Sequence, residues 1–145
     1  MNVKIKLLNK KIQPPSRATE LAAGVDLRAN LSAKVAIHPN ERRLIGSGIA
    51  VSVPPGLVGF VCPRSGLALK HGVTVANAPG CIDPDYTAEI GVILENRGDE
   101  VFWVNPGDRI AQLVFTIAYN NQWEVVDELP KTQRGDNGFG STGTK

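Results

Sequence analysis

The sequence predicts a single all-β domain of sandwich, jelly-roll or barrel type. About eight or more short runs rich in Val and Ile follow one another along the chain. Turn residues separate them: Pro14-Pro15, Pro39-Asn40, Pro54-Pro55-Gly56, Pro79-Gly80 and Pro106-Gly107. No twelve-residue helical pattern alternates with the strands, which disfavours a β-α architecture. The 145 residues suit one domain, and a chain of that length buries roughly 70% of its unfolded surface without staples.

The elements follow in order. Residues 3–8 (VKIKLL) alternate as a half-buried strand does. Residues 23–29 (AGVDLRA) are strand-like around a single acid, Asp26. Val35–Ile37 is short and extended, and residues 44–53 (LIGSGIAVSV) set Ile49, Val51 and Val53 on one face. Leu57–Val61, Val73–Val75, Glu89–Leu94, Val101–Val104 and Ile110–Ala118 complete the set. One segment breaks the pattern. Residues 65–72 (SGLALKHG) read as a short helix, with Ser65 as N-cap and Gly72 as stop. Residues 1–130 therefore form the β domain. Residues 131–145 (KTQRGDNGFGSTGTK) are polar and Gly-rich, and such a segment buries too little surface to order itself, so a mobile C-terminal arm is expected.

Composition excludes several function classes. Hydrophobic residues at 42% and charged residues at 21% argue against global disorder. The net charge is +2 and the basic residues are scattered, so charge alone implies no nucleic-acid partner. No apolar run approaches the roughly 20 residues of a membrane span, and the N-terminal MNVKIKLLNKK has no apolar signal core, so a cytoplasmic protein is expected. Cys62 and Cys81 form neither a disulfide framework nor a zinc motif and read as reduced thiols in or near the core. His38 and His71 have no ligand neighbours at metal spacing. Trp103 and Trp123 read as packing residues.

Five constellations carry possible chemistry, each with a plainer reading beside it. Arg64-Ser65-Gly66 at a helix start would suit an anion, or be an ordinary capped helix with a surface arginine. Asp83 and Asp85 flank Pro84 ahead of Tyr86; a carboxylate fixed there could orient a water, or the acids could serve the turn alone. Asp108 and Arg109 could pair, and Gln112 in an apolar strand must satisfy its amide on a ligand or on the protein. The glycines around Phe139 allow close approach to a ligand, and Phe139 could stack on a base while Arg134, Ser141 and Thr142 could hold phosphates; a plain disordered terminus has the same composition. Asp26 in its apolar strand needs a partner, either an arginine or a hydrated metal.

The identity and order of these segments are more specific than any one of them. AGVDLRA (23–29), PRSGLALKHG (63–72), NAPGCIDPDYTAEI (77–90), GDRIAQLVF (107–115) and RGDNGFGSTG (134–143) match, in order, the five motifs of the trimeric dUTPases, and the chain resembles that family from near residue 20 to its C-terminus. The resemblance implies a distorted jelly-roll-like β-barrel of the β-clip type and a Mg2+-dependent hydrolysis of dUTP to dUMP and diphosphate. That reaction limits uracil incorporation into DNA and supplies dUMP for dTMP synthesis. It also implies roles by position. Asp83 would be the general base and Tyr86 would stack under deoxyribose. Asn77, Ile82 and the hairpin backbone would read uracil. Arg64, Ser65, Gly66 and Gln112 would hold phosphates, and Asp26 would reach Mg2+ through water. Arg134, Phe139, Gly140, Ser141 and Thr142 would close over the substrate. The family's homotrimer builds each site from three chains: 63–72 and 107–115 from one, 77–90 from a second, the arm from a third.

The chain departs from the family at Asn137, where Gly is usual, and at Thr87-Ala88, where Arg-Gly is common. Asn tolerates a positive φ, whereas Ala88 requires a negative one. Two other readings stand beside hydrolysis. A dCTP deaminase-type or bifunctional relative needs an additional catalytic Glu, and Glu89 is the Glu near the hairpin. A nucleotide-responsive regulatory protein would use the same pocket to switch partners.

Overall fold

The computed structural model describes residues 2–135. Eleven strands and one helix are found there: β1 (Lys4–Leu7), β2 (Val25–Arg28), β3 (Val35–Ile37), β4 (Arg42–Gly46), β5 (Ile49–Ser52), β6 (Leu57–Cys62), α1 (Ser65–His71), β7 (Val73–Val75), β8 (Gly80–Ile82), β9 (Gly91–Asn96), β10 (Phe102–Val104) and β11 (Arg109–Ile117). All pairings are antiparallel. The strands fall into four small sheets, β2-β11-β6-β8, β4-β9-β7, β1-β5 and β10-β3. Backbone bonds stitch their ends together: Asn30 N–H donates to Gly46 O, Ala29 N–H to Asp108 O, and Leu8 N–H to Gly48 O, each at 2.8 Å. The result is a distorted jelly-roll-like β-barrel.

The core is the shared inner face. β9 alternates Val92, Leu94 and Asn96 inward; β6 contributes Leu57 and Val61; β11 contributes Ile110, Ala111 and Leu113. Leu27, Ile37, Ile45, Ile90 and Val104 fill the space between them. Asn96 is the notable polar member. It is fully buried, yet its Nδ2 donates to Ile37 O and Glu100 O, both at 2.8 Å, and its Oδ1 accepts from Gly98 N–H at 2.9 Å. Every polar atom of the side chain is thus answered, as a buried amide requires.

Several expectations are revised. The 3–8 run does form a strand, but all four residues of β1 are exposed, with Ile5 and Leu7 each at 38%. β1 is an edge that pairs with β5 alone, so its alternation meets no core within this chain. The 44–53 run is two strands, because Ser47-Gly48 turns the chain and Gly48 takes φ +70°. The Glu89 and Val101 runs begin at Gly91 and Phe102. The helix is present, but Arg64 holds the N-cap position with extended backbone and no side-chain cap, and Ser65 is already helical. The stop at Gly72 is as expected: φ +66° places it in the left-handed region, and its N–H donates to Ala68 O at 3.1 Å. Trp103 and Trp123 are not core. Trp103 is half exposed beneath the Lys34 ammonium, 4.5 Å from the ring centre, and Trp123 is 93% exposed. Both cysteines are free thiols, Cys62 half-buried and Cys81 exposed. No helix among the described residues is long and apolar enough to cross a membrane.

Candidate active site

Strand register assembles the first half of the site. On β11, Gln112 lies opposite Asp26 of β2 on one side and Cys62 of β6 on the other. The chain leaves β6 through Pro63 into Arg64 and the first turn of α1, so residues far apart in sequence meet at one sheet edge. Gln112 Nε2 donates to Pro63 O at 3.0 Å, which satisfies the amide on the protein and fixes the strand-to-helix turn. Arg64 reaches back over that turn. Its Nε is 3.4 Å from Asp26 Oδ1, and its Nη1 donates to Arg109 O at 3.1 Å. Ser65 and Gly66 open α1 ahead of the first intrahelical donors, Leu67 and Ala68, which both bond Arg64 O at 3.1 Å. No acidic residue stands in that turn. The edge therefore gathers the Ser65 and Gly66 amides, two guanidinium groups and an amide side chain, a donor set that suits an anion.

Asp26 takes the arginine alternative, and takes it twice, since Arg109 Nη1 lies 3.3 Å from its Oδ2. The expected Asp108–Arg109 pair is absent. Asp108 Oδ2 instead accepts from Asn105 N–H at 2.8 Å and Asn105 Nδ2 at 3.1 Å, closing the Asn105-Pro106-Gly107-Asp108 turn. The Arg109–Asp26 partnership is the one that sequence order does not suggest, although an Asp at the end of an Asn-Pro-Gly turn is a signal that Asp108 is committed to turn backbone. The donor chemistry fits a magnesium ion arriving on a phosphate chain. Asp26 is a single, partly exposed carboxylate, which suffices for a hold through water because Mg2+ retains several waters. No group of three or more His, Cys, Asp or Glu able to hold a metal exists among the described residues.

The second half is built on β8, which pairs antiparallel with β6, and on the turns that flank it. Ile82 is buried and pairs with Gly59, and Gly80 pairs with Val61. Before β8, Ala78 N–H donates to Val75 O at 3.2 Å, the Ala78-Pro79 bond is cis, and the Asn77 side chain packs over Gly80. After β8 the chain turns at once: Tyr86 N–H donates to Asp83 O at 3.1 Å. Asp83 and Asp85 thus lie in this turn and not along an extended strand, and both are exposed. The Tyr86 hydroxyl donates to Glu89 O at 2.7 Å. Ala88 keeps a negative φ, Asn40 being the non-glycine residue at positive φ among those described. Glu89 is occupied structurally, its Oε1 accepting from Gly48 N–H at 2.6 Å. That engagement weighs against its use as a deaminase catalyst.

One chain does not bring the halves together. Asp83 continues past the Gly59 end of β6, whereas Arg64 follows the Cys62 end. At about 3.3 Å per residue the two are separated by roughly 15–20 Å along the strand. Arg134 is exposed in a turn closed by Gly135 N–H donating to Thr132 Oγ1 at 3.1 Å. Phe139, Gly140, Ser141 and Thr142 lie outside the described residues, as does Asn137. Ahead of that arm, Ile117, Tyr119, Trp123, Val125 and Leu129 are all strongly exposed.

Residues 10–143 match the dUTPase family model. The chain is 48% identical over 143 residues to the deoxyuridine 5'-triphosphate nucleotidohydrolase of Syntrophotalea carbinolica, covering 99% of this chain and 97% of that protein. It is 49% identical over 147 residues to the enzyme of the same name from Maricaulis maris, with the same coverage. Among solved structures, a variant of the Staphylococcus bacteriophage 80alpha dUTPase with dUpNHpp superposes with a TM-score of 0.90 at 26% identity, covering 99% of both chains.

Proposed function

The chain belongs to the dUTPase family, and from that membership we propose how its residues carry out the family's reaction. The protein is a dUTP diphosphatase, hydrolysing dUTP to dUMP and diphosphate. The observation that carries the assignment of roles is the Asp26–Arg64–Gln112 edge, which gathers three of the five motifs by strand register.

In this reading Arg64, Gln112 and the Ser65 and Gly66 amides hold the phosphate chain. They meet charge that develops on it with donors fixed in advance. Asp26 would hold Mg2+ through water, and the bound ion would supply further neutralisation of the phosphate oxygens. The Asp83 carboxylate takes a proton from the water that attacks the α-phosphorus, and the α-β bond breaks with diphosphate leaving. Asn77, Ile82 and the hairpin backbone read the uracil edge, a hydrogen-bond discrimination that can be strict. Tyr86 lies under the sugar and leaves no room for a 2′-hydroxyl. Arg134, Phe139, Gly140, Ser141 and Thr142 close as a lid from the 131–145 arm.

We infer a homotrimer whose sites lie between subunits, with 63–72 and 107–115 from one chain, 77–90 from a second and the arm from a third. The separation of Asp83 from Arg64 supports it, and so do the exposed large apolar side chains between residues 117 and 129. The free thiols Cys62 and Cys81 suit the cytoplasm.

Diphosphate release is measured with Mg2+ and dUTP, dCTP, dTTP or UTP separately. Release from dUTP alone is expected, with Asp83→Asn slowing it by about 10²–10⁴-fold. Ammonia release from dCTP would revive the deaminase reading. Unchanged turnover in Asp83→Asn would remove Asp83 as the base.

A further inference from the structure

The loop that carries Asp83 and Tyr86 is exposed from residue 83 to residue 88, yet its far end is among the most firmly tied points of the chain. Ile90 N–H donates to Ile49 O at 2.9 Å, and Ile90 O accepts from Ser47 N–H at 3.0 Å and from the buried Ser47 hydroxyl at 2.6 Å. The Glu89 side chain adds a second hold. Its Oε1 accepts from the buried Gly48 N–H at 2.6 Å and lies 3.4 Å from Asn30 Nδ2. The seat exists because position 46 is glycine: a Cβ there would stand 2.5 Å from Glu89 Oε1. Asn30 is fixed in turn, its N–H donating to Gly46 O at 2.8 Å and its Oδ1 accepting from Asn9 Nδ2 at 3.3 Å. The carbonyl of this same Glu89 accepts from the Tyr86 hydroxyl at 2.7 Å.

We propose that Glu89 is a positioning residue for Tyr86: its carboxylate, seated on Gly46 and held by the Gly48 amide, fixes the carbonyl that holds the tyrosine hydroxyl, and thereby sets the discrimination between deoxyribose and ribose. The proposal rests on the reading of Tyr86 as the surface under the sugar. A ring held at its hydroxyl and at its backbone has little freedom to retreat from a 2′-hydroxyl. Without the Glu89 seat, the carbonyl moves and the ring can yield. Small displacements of a positioning group are enough to change rates strongly.

The test compares kcat/KM for dUTP and UTP in the full-length protein. Glu89→Ala is expected to lower the dUTP/UTP ratio roughly ten- to hundred-fold. Glu89→Gln, whose side-chain oxygen still accepts from the Gly48 amide, is expected to restore the ratio to within about threefold of the unaltered protein. An Asp83→Asn control should slow both nucleotides and leave the ratio alone, which separates positioning of the sugar from chemistry at phosphorus. An unchanged ratio in Glu89→Ala overturns the proposal. Should that variant not fold, Gly46→Ala displaces the carboxylate from its seat and must produce the same fall. Amide hydrogen exchange at Tyr86 reads the loop without substrate. Faster exchange in Glu89→Ala supports the anchor and unchanged exchange overturns it, even if the unaltered protein failed to hydrolyse dUTP and the reading of the site itself fell.

Discussion

Asp26 stands between two guanidinium groups, its Oδ1 3.4 Å from Arg64 Nε and its Oδ2 3.3 Å from Arg109 Nη1. One arginine follows β6 and the other opens β11, so the carboxylate joins two segments of the anion-binding edge. It lowers the repulsion between two cations that stand side by side. The pairs are partly exposed, and such pairs add little stability. Asp26→Asn is therefore expected to lower unfolding free energy by no more than about 1 kcal/mol. Its effect on dUTP hydrolysis should be larger, roughly 10–100-fold, as for residues that hold a catalytic metal from its second layer. A Mg2+ titration of kcat/KM, run beside thermal unfolding, checks both numbers. Turnover unchanged at every Mg2+ concentration would refute the assignment.

Much of this arrangement was legible in the sequence, and the parts that were not share a cause. Val35–Ile37, Val73–Val75 and the 110–118 run are found as strands because each carries its own period and turn signals. Arg64, Gln112 and Asp26 were legible as a motif set, and register brings them together. Long-range partnerships were not legible. Sequence order pairs Arg109 with its neighbour Asp108, whereas the turn at Asn105 claims that acid. Ser65 suggests a cap because Ser is a common one, but Arg64 occupies the position and its side chain is drawn to Asp26. The alternation of β1 promised a buried face that this chain alone does not provide. Period reports an apolar face, and it is silent on which chain covers it.

Asn96 shows a further kind of silence, since a lone Asn at the end of a strand reads as a turn residue. Here it is a buried clamp that ties β3 to the loop after β9 through Ile37 O, Glu100 O and Gly98 N–H. Asn96→Leu removes one acceptor and both donated bonds and leaves three backbone groups to find new partners out of water. A loss of about 2–4 kcal/mol is expected, more than an exposed amide would cost. Urea unfolding with a matched m-value measures it. A loss below about 0.5 kcal/mol, the range of an ordinary surface change, would mean that water replaces the amide.

Acid should weaken the β4–β9 edge. The Arg97 guanidinium, hydrogen-bonded to Glu95, holds that carboxyl below its ordinary 4.5, with Arg42 adding to the effect. Glu41 is lowered as well, first by the His38 N–H that donates to it at 2.8 Å. A carboxyl lowered in the folded state contributes stability in full above its unfolded value and loses it as pH falls through the folded value. The melting temperature of Glu95→Gln should therefore lie below that of the unaltered protein at neutral pH, and the two should converge once pH drops well under 4.5. A gap that stays constant into acid would mean that the pair contributes through packing and not through charge.

The exposed segment after β11 should behave as part of an assembly. Trp123 and Val125 are 93% and 97% exposed, and Leu129 is 83% exposed. Each large apolar side chain moved out of water is worth about 1.5–3 kcal/mol. Exposed large apolar side chains of this kind are what a surface covered by another chain is expected to carry. The unaltered protein is expected to sediment as a trimer. Trp123→Ser with Val125→Asp should shift it toward monomer, because the double change strips the segment of its largest anchor and places a charge in the contact. dUTP hydrolysis should fall in the same concentration range as dissociation, since Asp83 and Arg64 of one chain stand too far apart to serve one nucleotide. A monomer that retained full turnover would show that a single chain closes its own site, and the intersubunit reading would be lost with it.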